Sequence, residues 1–392
     1  MDTNARTVPA MEWDPQSGQA IHDPVANYDA MRRRCPVAHS QLLHWSLFRH
    51  ADVVRALDQP EIFSNEVSTH LSVPNGMDPP VHTGYRRIID PYFSAQRMRA
   101  LEPACRRIAA GLLDAVPADA AVEVMETLAE PFALRAQAAF LDWPAELHAP
   151  LREWVCANHA ATRSRDPAAT AAVALAFDRH IRAVLEARRR GAVTGDDVAS
   201  RLMRERIEGR ELTEAEIVSI LRNWTVGELA TIAASVGILV HFFAQRPEVV
   251  RRLRADTGLL PAAIDEILRI DPPLIASRRK TKCPVTVAGQ SLGAGERVTL
   301  LWASANRDER TCGDPDEFRT DRDPELNLLY GRGLHVCPGA PLARLELRVF
   351  VEEFLARGFE PQVVAAPAPV RAIYPGSGFA TLHVRFGAPS SS

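Results

Sequence analysis

Along most of this chain, apolar residues recur at the three- and four-residue spacing of amphipathic helices. The spacing predicts short helices over 25–34 and from Ala51 to Leu57, and longer ones over 99–115, 124–140, 145–160, 167–190 and 196–205. Trp45 to Phe48 reads as a strand. Residues 64–80, rich in Ser, Asn, Pro and Gly, read as a long loop. Asp78 stands where it would cap a following helix, with Pro79 and Pro80 in the first turn. Thr213 and Glu216 form a T-x-x-E capping box. An unbroken apolar pattern then runs from Ile217 to Gln245, and Pro247 closes it. That helix would be roughly 44 Å long. A helix this long and this apolar belongs inside the molecule. Another helix is expected over about 248–270. Beyond it come short strands around 284–300, a helix after 338 and strand-like pieces near 360–386. The expected fold is mainly α with a small β region, a single domain over 1–392 with loose tails at 1–20 and 387–392.

Composition narrows the class. Apolar residues are 46% and charged residues 24%, ordinary globular values that exclude wholesale disorder and collagen-like repeats. The 46 basic and 49 acidic residues leave a net charge of -3, so no global basic field exists for nucleic acid. The cysteines at 35, 105, 156, 283, 312 and 337 include no C-x-x-C and are too sparse for a disulfide scaffold. A reducing, cytoplasmic setting is expected. The stretch Met1 to Gln19 is polar, with Asp2, Arg6, Glu12 and Asp14, and lacks the apolar core of a signal peptide or anchor. Leu229 to Ala244 is apolar but broken by Thr231, Ser235 and His241, and short for a bilayer. It reads as a buried core helix, and no membrane partner is expected.

The candidate chemistry lies between Leu329 and Glu346. Gly331 and Gly333 allow a sharp turn or the close approach of a flat object ahead of Cys337. Gly339 and a helical run follow. A cysteine just before a helix N-terminus is favoured as thiolate, a soft and electron-rich metal ligand. A lone cysteine is more often a small buried hydrophobe, so the whole segment matters. Tyr330-Gly331-Arg332-Gly333-Leu334-His335-Val336-Cys337-Pro338-Gly339-Ala340-Pro341-Leu342-Ala343-Arg344-Leu345-Glu346 resembles the haem-ligand loop of the cytochromes P-450, F-G-x-G-x-H-x-C-x-G-x-x-L-A-R-x-E. Only Tyr330 for Phe departs from it.

Other landmarks of that family follow in order, so the resemblance covers about residues 25 to 386. Glu266-Ile267-Leu268-Arg269 is similar to the E-x-x-R signature, whose members share a helix face. Phe318-Arg319-Thr320-Asp321-Arg322 offers Arg322 as the third member of a network that holds the cysteine loop. The resemblance implies haem b with Cys337 as axial ligand. It also implies haem contacts from His82, Arg86, Arg279, His335 and Gly339, with Arg278 competing with Arg279. His82 and Arg86 are four apart, hence on one helix face, and a buried propionate needs such donors.

The long helix departs from the family pattern [AG]-G-x-[DE]-T. Counting back from Pro247 puts the threonine at Thr231 and the usual acid at Ala230, with Glu228 where a small residue normally stands. The block Asn223-Trp224-Thr225-Val226-Gly227-Glu228 resembles self-sufficient P-450s fused to a phthalate-dioxygenase-type reductase, and some stand-alone relatives; a stand-alone protein is expected. Glu228 sits in an apolar run, where an unpaired carboxylate is costly. It should have a partner, a raised pKa or a wet pocket.

The resemblance implies a monooxygenase acting with O2 on a small, partly apolar or aromatic substrate. Thr231 and Glu228 are the candidate catalytic residues. Electrons would come from a separate ferredoxin or flavin/iron–sulfur reductase docking near Arg86, Arg87 and Arg344. Substrate contacts are expected from 64–80, 155–175, Trp224 to Thr231, Leu274 to Ser277 and Tyr374 to Phe379. The missing acid leaves open a peroxide-using or non-oxygenating haem protein.

Overall fold

A computed structural model describes residues 12–117, 120–164, 166–191 and 195–387. The capping box closes as its sequence demands. Thr213 accepts from the Glu216 N–H, the Glu216 side chain accepts from the Thr213 N–H, and the helix runs Glu214–Gln245. Pro247, which has no N–H to leave unpaired, opens the next helix. Among the described residues, Glu214–Gln245 is the one helix long and apolar enough to cross a membrane, and 67% of its apolar window is buried inside the protein.

The chain divides into two compact units. The first comprises Met1–His70, Asn75–Pro79 and Asp265–Cys337; the second comprises Leu71–Pro74, Pro80–Ile264 and Pro338–Ser392.

The first unit is built on a five-stranded sheet in the order Val37–Ser40, His44–Leu47, Arg297–Leu301, Ala276–Thr281, Phe63–Ser64. Arg297–Leu301 pairs parallel with His44–Leu47, and the other neighbours are antiparallel. Leu47, Val53, Phe63, Val298, Leu300, Trp302 and Leu328 form its core, with the helix His50–Asp58 packed on it. Two expectations fail here. Asp78 does not cap the following helix: it accepts from the Asn65 N–H at 3.0 Å and faces Lys282 at 3.2 Å, and Pro80 precedes the helix Val81–Ile89. An ammonium and a buried amide compete better for that carboxylate than a helix N-terminus does. The looseness expected over 1–20 does not hold from Glu12 onward. The Trp13 ring is buried edge-on to Phe48, the Trp13 backbone N–H donates to His39 O, and Gly18–His22 is helical. Residues 1–11 and 388–392 of the expected tails lie outside the described residues.

In the second unit the long helix packs against Glu130–Leu141, Pro167–Arg189 and Ala340–Ala356, while Ala95–Asp114 also packs on Ala340–Ala356. A small sheet orders Glu360–Val363, His383–Gly387 and Ala121–Glu123. The single helix expected over 248–270 is broken. Asp256 turns the chain by accepting from the Gly258 N–H, separating Pro247–Ala255 from Leu260–Ile270. The helix expected over 196–205 stops at Leu202, because Gly209, at φ 83°, turns a hairpin of Arg206–Ile207 and Arg210–Glu211.

Candidate active site

Cys337 is exposed at the end of a tight loop. Its N–H donates to Tyr330 O at 2.9 Å, Gly331 N–H to Leu328 O at 2.9 Å and Val336 N–H to Gly333 O at 3.1 Å. Gly331 and Gly333 sit at φ 72° and 69°. A Cβ on Gly333 would lie 3.3 Å from Leu57 O and 3.5 Å from Asp58 Oδ1. Conformation and space therefore both require glycine there. His335 lies in the short 3-10 turn Gly333–His335, two residues before the thiol.

The loop is anchored from behind. Glu266 and Arg269 are buried and joined by two bonds of 2.7 and 3.0 Å. Arg322 Nε reaches the same carboxylate at 2.8 Å, and the Arg319 N–H donates to it at 3.1 Å. Arg269 also donates to Asn306 O and Pro315 O. Asn306 carries the restraint onward, for its Oδ1 accepts from the Leu328 N–H at 2.8 Å and its amide donates to Asn327. Leu328 O in turn holds Gly331. The E-x-x-R pair and Arg322 thus form the expected network. Asn306 and Asn327, which sequence reasoning missed, carry it into the cysteine loop. No local pattern marks the bonds that carry the restraint through Asn306 and Asn327, because they span 21 or more residues.

Strand alternation separates the competing arginines. On Ala276–Thr281, Arg279 points inward and Arg278 outward. Arg279 donates to Ser277 Oγ at 3.1 Å and Arg278 O at 2.8 Å but has no ion-pair partner among the described residues. Burial lowers its pKa to about 10, with Asp78 opposing the shift. A guanidinium buried without a carboxylate calls for an anionic group.

In the second unit, His82 is buried on Val81–Ile89, and Arg86, four residues on, bonds Asp90 at 2.6 Å. Gly339 is the N-cap of Ala340–Ala356. Within the long helix, Val226, Gly227 and Ala230 are exposed and Thr231 half-exposed, although the residues on either side are buried. Positions i, i+1, i+4 and i+5 share one face, so a short, small-residue strip is left open in an otherwise buried helix. The Thr231 hydroxyl donates to Gly227 O at 2.8 Å, on the same strip. Glu228 lies off it and is buried. Of the expected substrate walls, Ile275 is buried in the first unit. Phe379 is buried in the second, with His241 at 4.6 Å and the Arg371 guanidinium 4.4 Å from its ring centre.

The cytochrome P450 family model matches residues 169–370. Cyclomarin C epoxidase CymV of Salinispora arenicola is 31% identical over 379 residues, covering 92% of this chain and 94% of that protein. The chain is a cytochrome P450. Erythromycin C-12 hydroxylase of Saccharopolyspora erythraea is 32% identical over 83% of this chain and 85% of its own length. The open form of cytochrome P450 EryK from S. erythraea superposes with a TM-score of 0.85 at 28% identity, covering 94% of this chain and 96% of that one. The protein is accordingly a P450 monooxygenase, an oxidoreductase of the P450 fold. Its family binds haem b through an axial cysteine thiolate. The residues present fit that group. A thiol is exposed on a braced loop, a buried guanidinium lacks an anion and an apolar helix carries an open strip.

Proposed function

We propose that Cys337 is the axial thiolate of a haem b. Arg279, His82, Arg86 and His335 would donate to its propionates, and Gly339 would lie against the ring. Arg279 carries this reading, because its buried charge has no other anion. When bound, the haem supplies dioxygen activation and one-electron chemistry. The chain supplies position and protons. The network of Glu266, Arg269, Arg322 and Asn306 holds the thiol in one place. The Thr231 hydroxyl, on the open strip of the long helix, would hold and pass protons. Glu228 feeds that hydroxyl in place of the acid that Ala230 lacks.

The substrate is a small, partly apolar or aromatic organic molecule that is hydroxylated or oxidatively dealkylated. The aliphatic strip of Val226, Gly227 and Ala230 supports it, offering contact surface without a charge. Burial of Glu228 off the strip speaks against a role as substrate anchor. Electrons come from a separate ferredoxin or a flavin/iron–sulfur reductase in the cytoplasm. The test is a panel of small aromatics, terpenoid-sized molecules and large macrocycles, scored by haem difference spectra. Hits are then turned over with NADPH, ferredoxin and reductase. Spectral shifts from small apolar or aromatic compounds, with NADPH-coupled product, are expected. Shifts confined to macrocycles would contradict the substrate class, and product formed with peroxide alone would contradict the electron source.

A further inference from the structure

Glu346 closes the cysteine motif, yet nothing in the bracing of the thiol uses it. It is completely buried on Ala340–Ala356. Its carboxyl lies within hydrogen-bonding reach of Glu228, which is 8% exposed on the long helix packed against it. Among the described residues no Arg, Lys or His pairs with either. Both Glu346 oxygens and Glu228 Oε1 lack a donor from any other group. The third titratable group facing them is Cys105 on Ala95–Asp114, completely buried, its thiol pushed up to about 12 by burial and by the nearby Glu228 charge. It remains a neutral thiol and cannot neutralise a carboxylate.

Two carboxylates at hydrogen-bond distance, both acceptors and both out of water, cannot coexist ionised. One must hold a proton and donate it to the other. We propose that Glu228 and Glu346 form an acid–carboxylate dyad sharing one proton, and that this dyad is the proton store serving Thr231. The inference rests on the monooxygenase reading above and adds Glu346 to it. Burial acts on both groups in the same direction, raising Glu228 and taking Glu346 well above the ordinary range.

The location suits the task. Thr231 lies three residues beyond Glu228, less than one turn along and about 60° round the helix. A proton leaves the dyad for the Thr231 hydroxyl oxygen or a water bonded to it, and the hydroxyl's own proton moves onward. Solvent returns a proton to the dyad, because the doubly ionised pair is too costly to persist. The acid absent at Ala230 is thereby replaced by a pair split between two helices. A shared proton lets one carboxyl donate while the other prepares to accept.

The test uses the haem-loaded protein, wild type and with Glu228→Gln and Glu346→Gln. Infrared spectra in H2O and D2O at about pH 8 come first; there an ordinary carboxyl is ionised. The wild type should show a deuterium-sensitive carboxylic-acid C=O band. It should be lost in each variant, since the glutamine amide can donate to the remaining carboxylate and removes the need for the proton. Stability gives a second readout. A carboxyl raised in the folded state binds its proton more tightly than in the unfolded chain. The wild type should therefore lose stability relative to either variant as pH rises above the unfolded value of 4.5. In turnover, Glu346→Gln should leave substrate affinity unchanged, slow the rate by about tenfold or more and enlarge the solvent isotope effect. No acid band in the wild type, or a band that survives in both variants, overturns the dyad. A band with the expected losses but unchanged turnover and isotope effect overturns its service to Thr231. Failure of the monooxygenase reading is distinguishable, since wild type itself would then give no NADPH-coupled product.

Discussion

Arg279 and Gly333 show how single positions build the site. Arg279 is 4% exposed and bonds only a serine and a carbonyl. Replacing it with alanine should weaken haem retention. The haem fraction surviving dilution and gel filtration should fall several-fold, whereas Arg278→Ala, on the outer face, should retain haem as the wild type does. Gly333→Ala forces a left-handed backbone on a Cβ that meets Leu57 O at 3.3 Å. It should cost about 1–3 kcal/mol in denaturant unfolding of the haem-free protein. Much at this scale was legible in the sequence. Cys337 and the glycines before it sit in a motif whose spacing is its meaning. The choice between Arg278 and Arg279 needed the strand, because inward and outward positions differ by one residue. The Glu346–Glu228 contact was not legible, since the two lie on different helices far apart in the chain. The expectation that Glu228 must have a partner or a raised pKa followed from burial alone, and both are present.

At the scale of elements, two helix pairs of charges act differently. Glu266 is the shared anion of Arg269 and Arg322 and is buried. Glu266→Gln leaves two guanidinium groups without their carboxylate and should cost about 3–5 kcal/mol. It should also release the loop that carries Cys337, so the purified variant should hold little haem. Glu216 works at a helix start. Arg210 holds its carboxyl down at about 2, opposed by burial and aided by the Tyr85 hydroxyl and the Thr213 cap. A folded-state value below the ordinary 4.5 means stabilisation fully present above pH 4.5 and lost as pH falls through about 2. Glu216→Gln should therefore cost about 1 kcal/mol near neutral pH. Urea titrations of wild type and variant should converge toward pH 2. The T-x-x-E pattern announced this cap from sequence. The breaks at Asp256 and Gly209 escaped notice, because short polar turns between apolar stretches do not disturb helical periodicity enough to stand out.

At the scale of the whole molecule, the balance of 46 basic and 49 acidic residues hides local asymmetry. Arg87 and Arg344 are exposed in the second unit. If an acidic electron donor uses them, reduction should slow as ionic strength rises. Arg87→Glu with Arg344→Glu should lower the association rate several-fold in stopped-flow reduction while leaving haem content intact. Rates independent of salt and of these charges would place docking elsewhere. The mainly helical architecture was legible because an apolar helix of this length admits few surroundings. The strands Val37–Ser40, Ala121–Glu123 and Ala276–Thr281 were not, being three to six residues long and carrying polar or charged residues. The central claim is that Cys337 holds haem as a thiolate in a working P450. It is tested most directly by the absorption spectrum of the reduced, carbon monoxide-bound protein. Wild type should show the strongly red-shifted Soret band of thiolate ligation, and Cys337→Ala should lack it. A red-shifted band that persists in Cys337→Ala, or is missing from the haem-loaded wild type, would contradict the account.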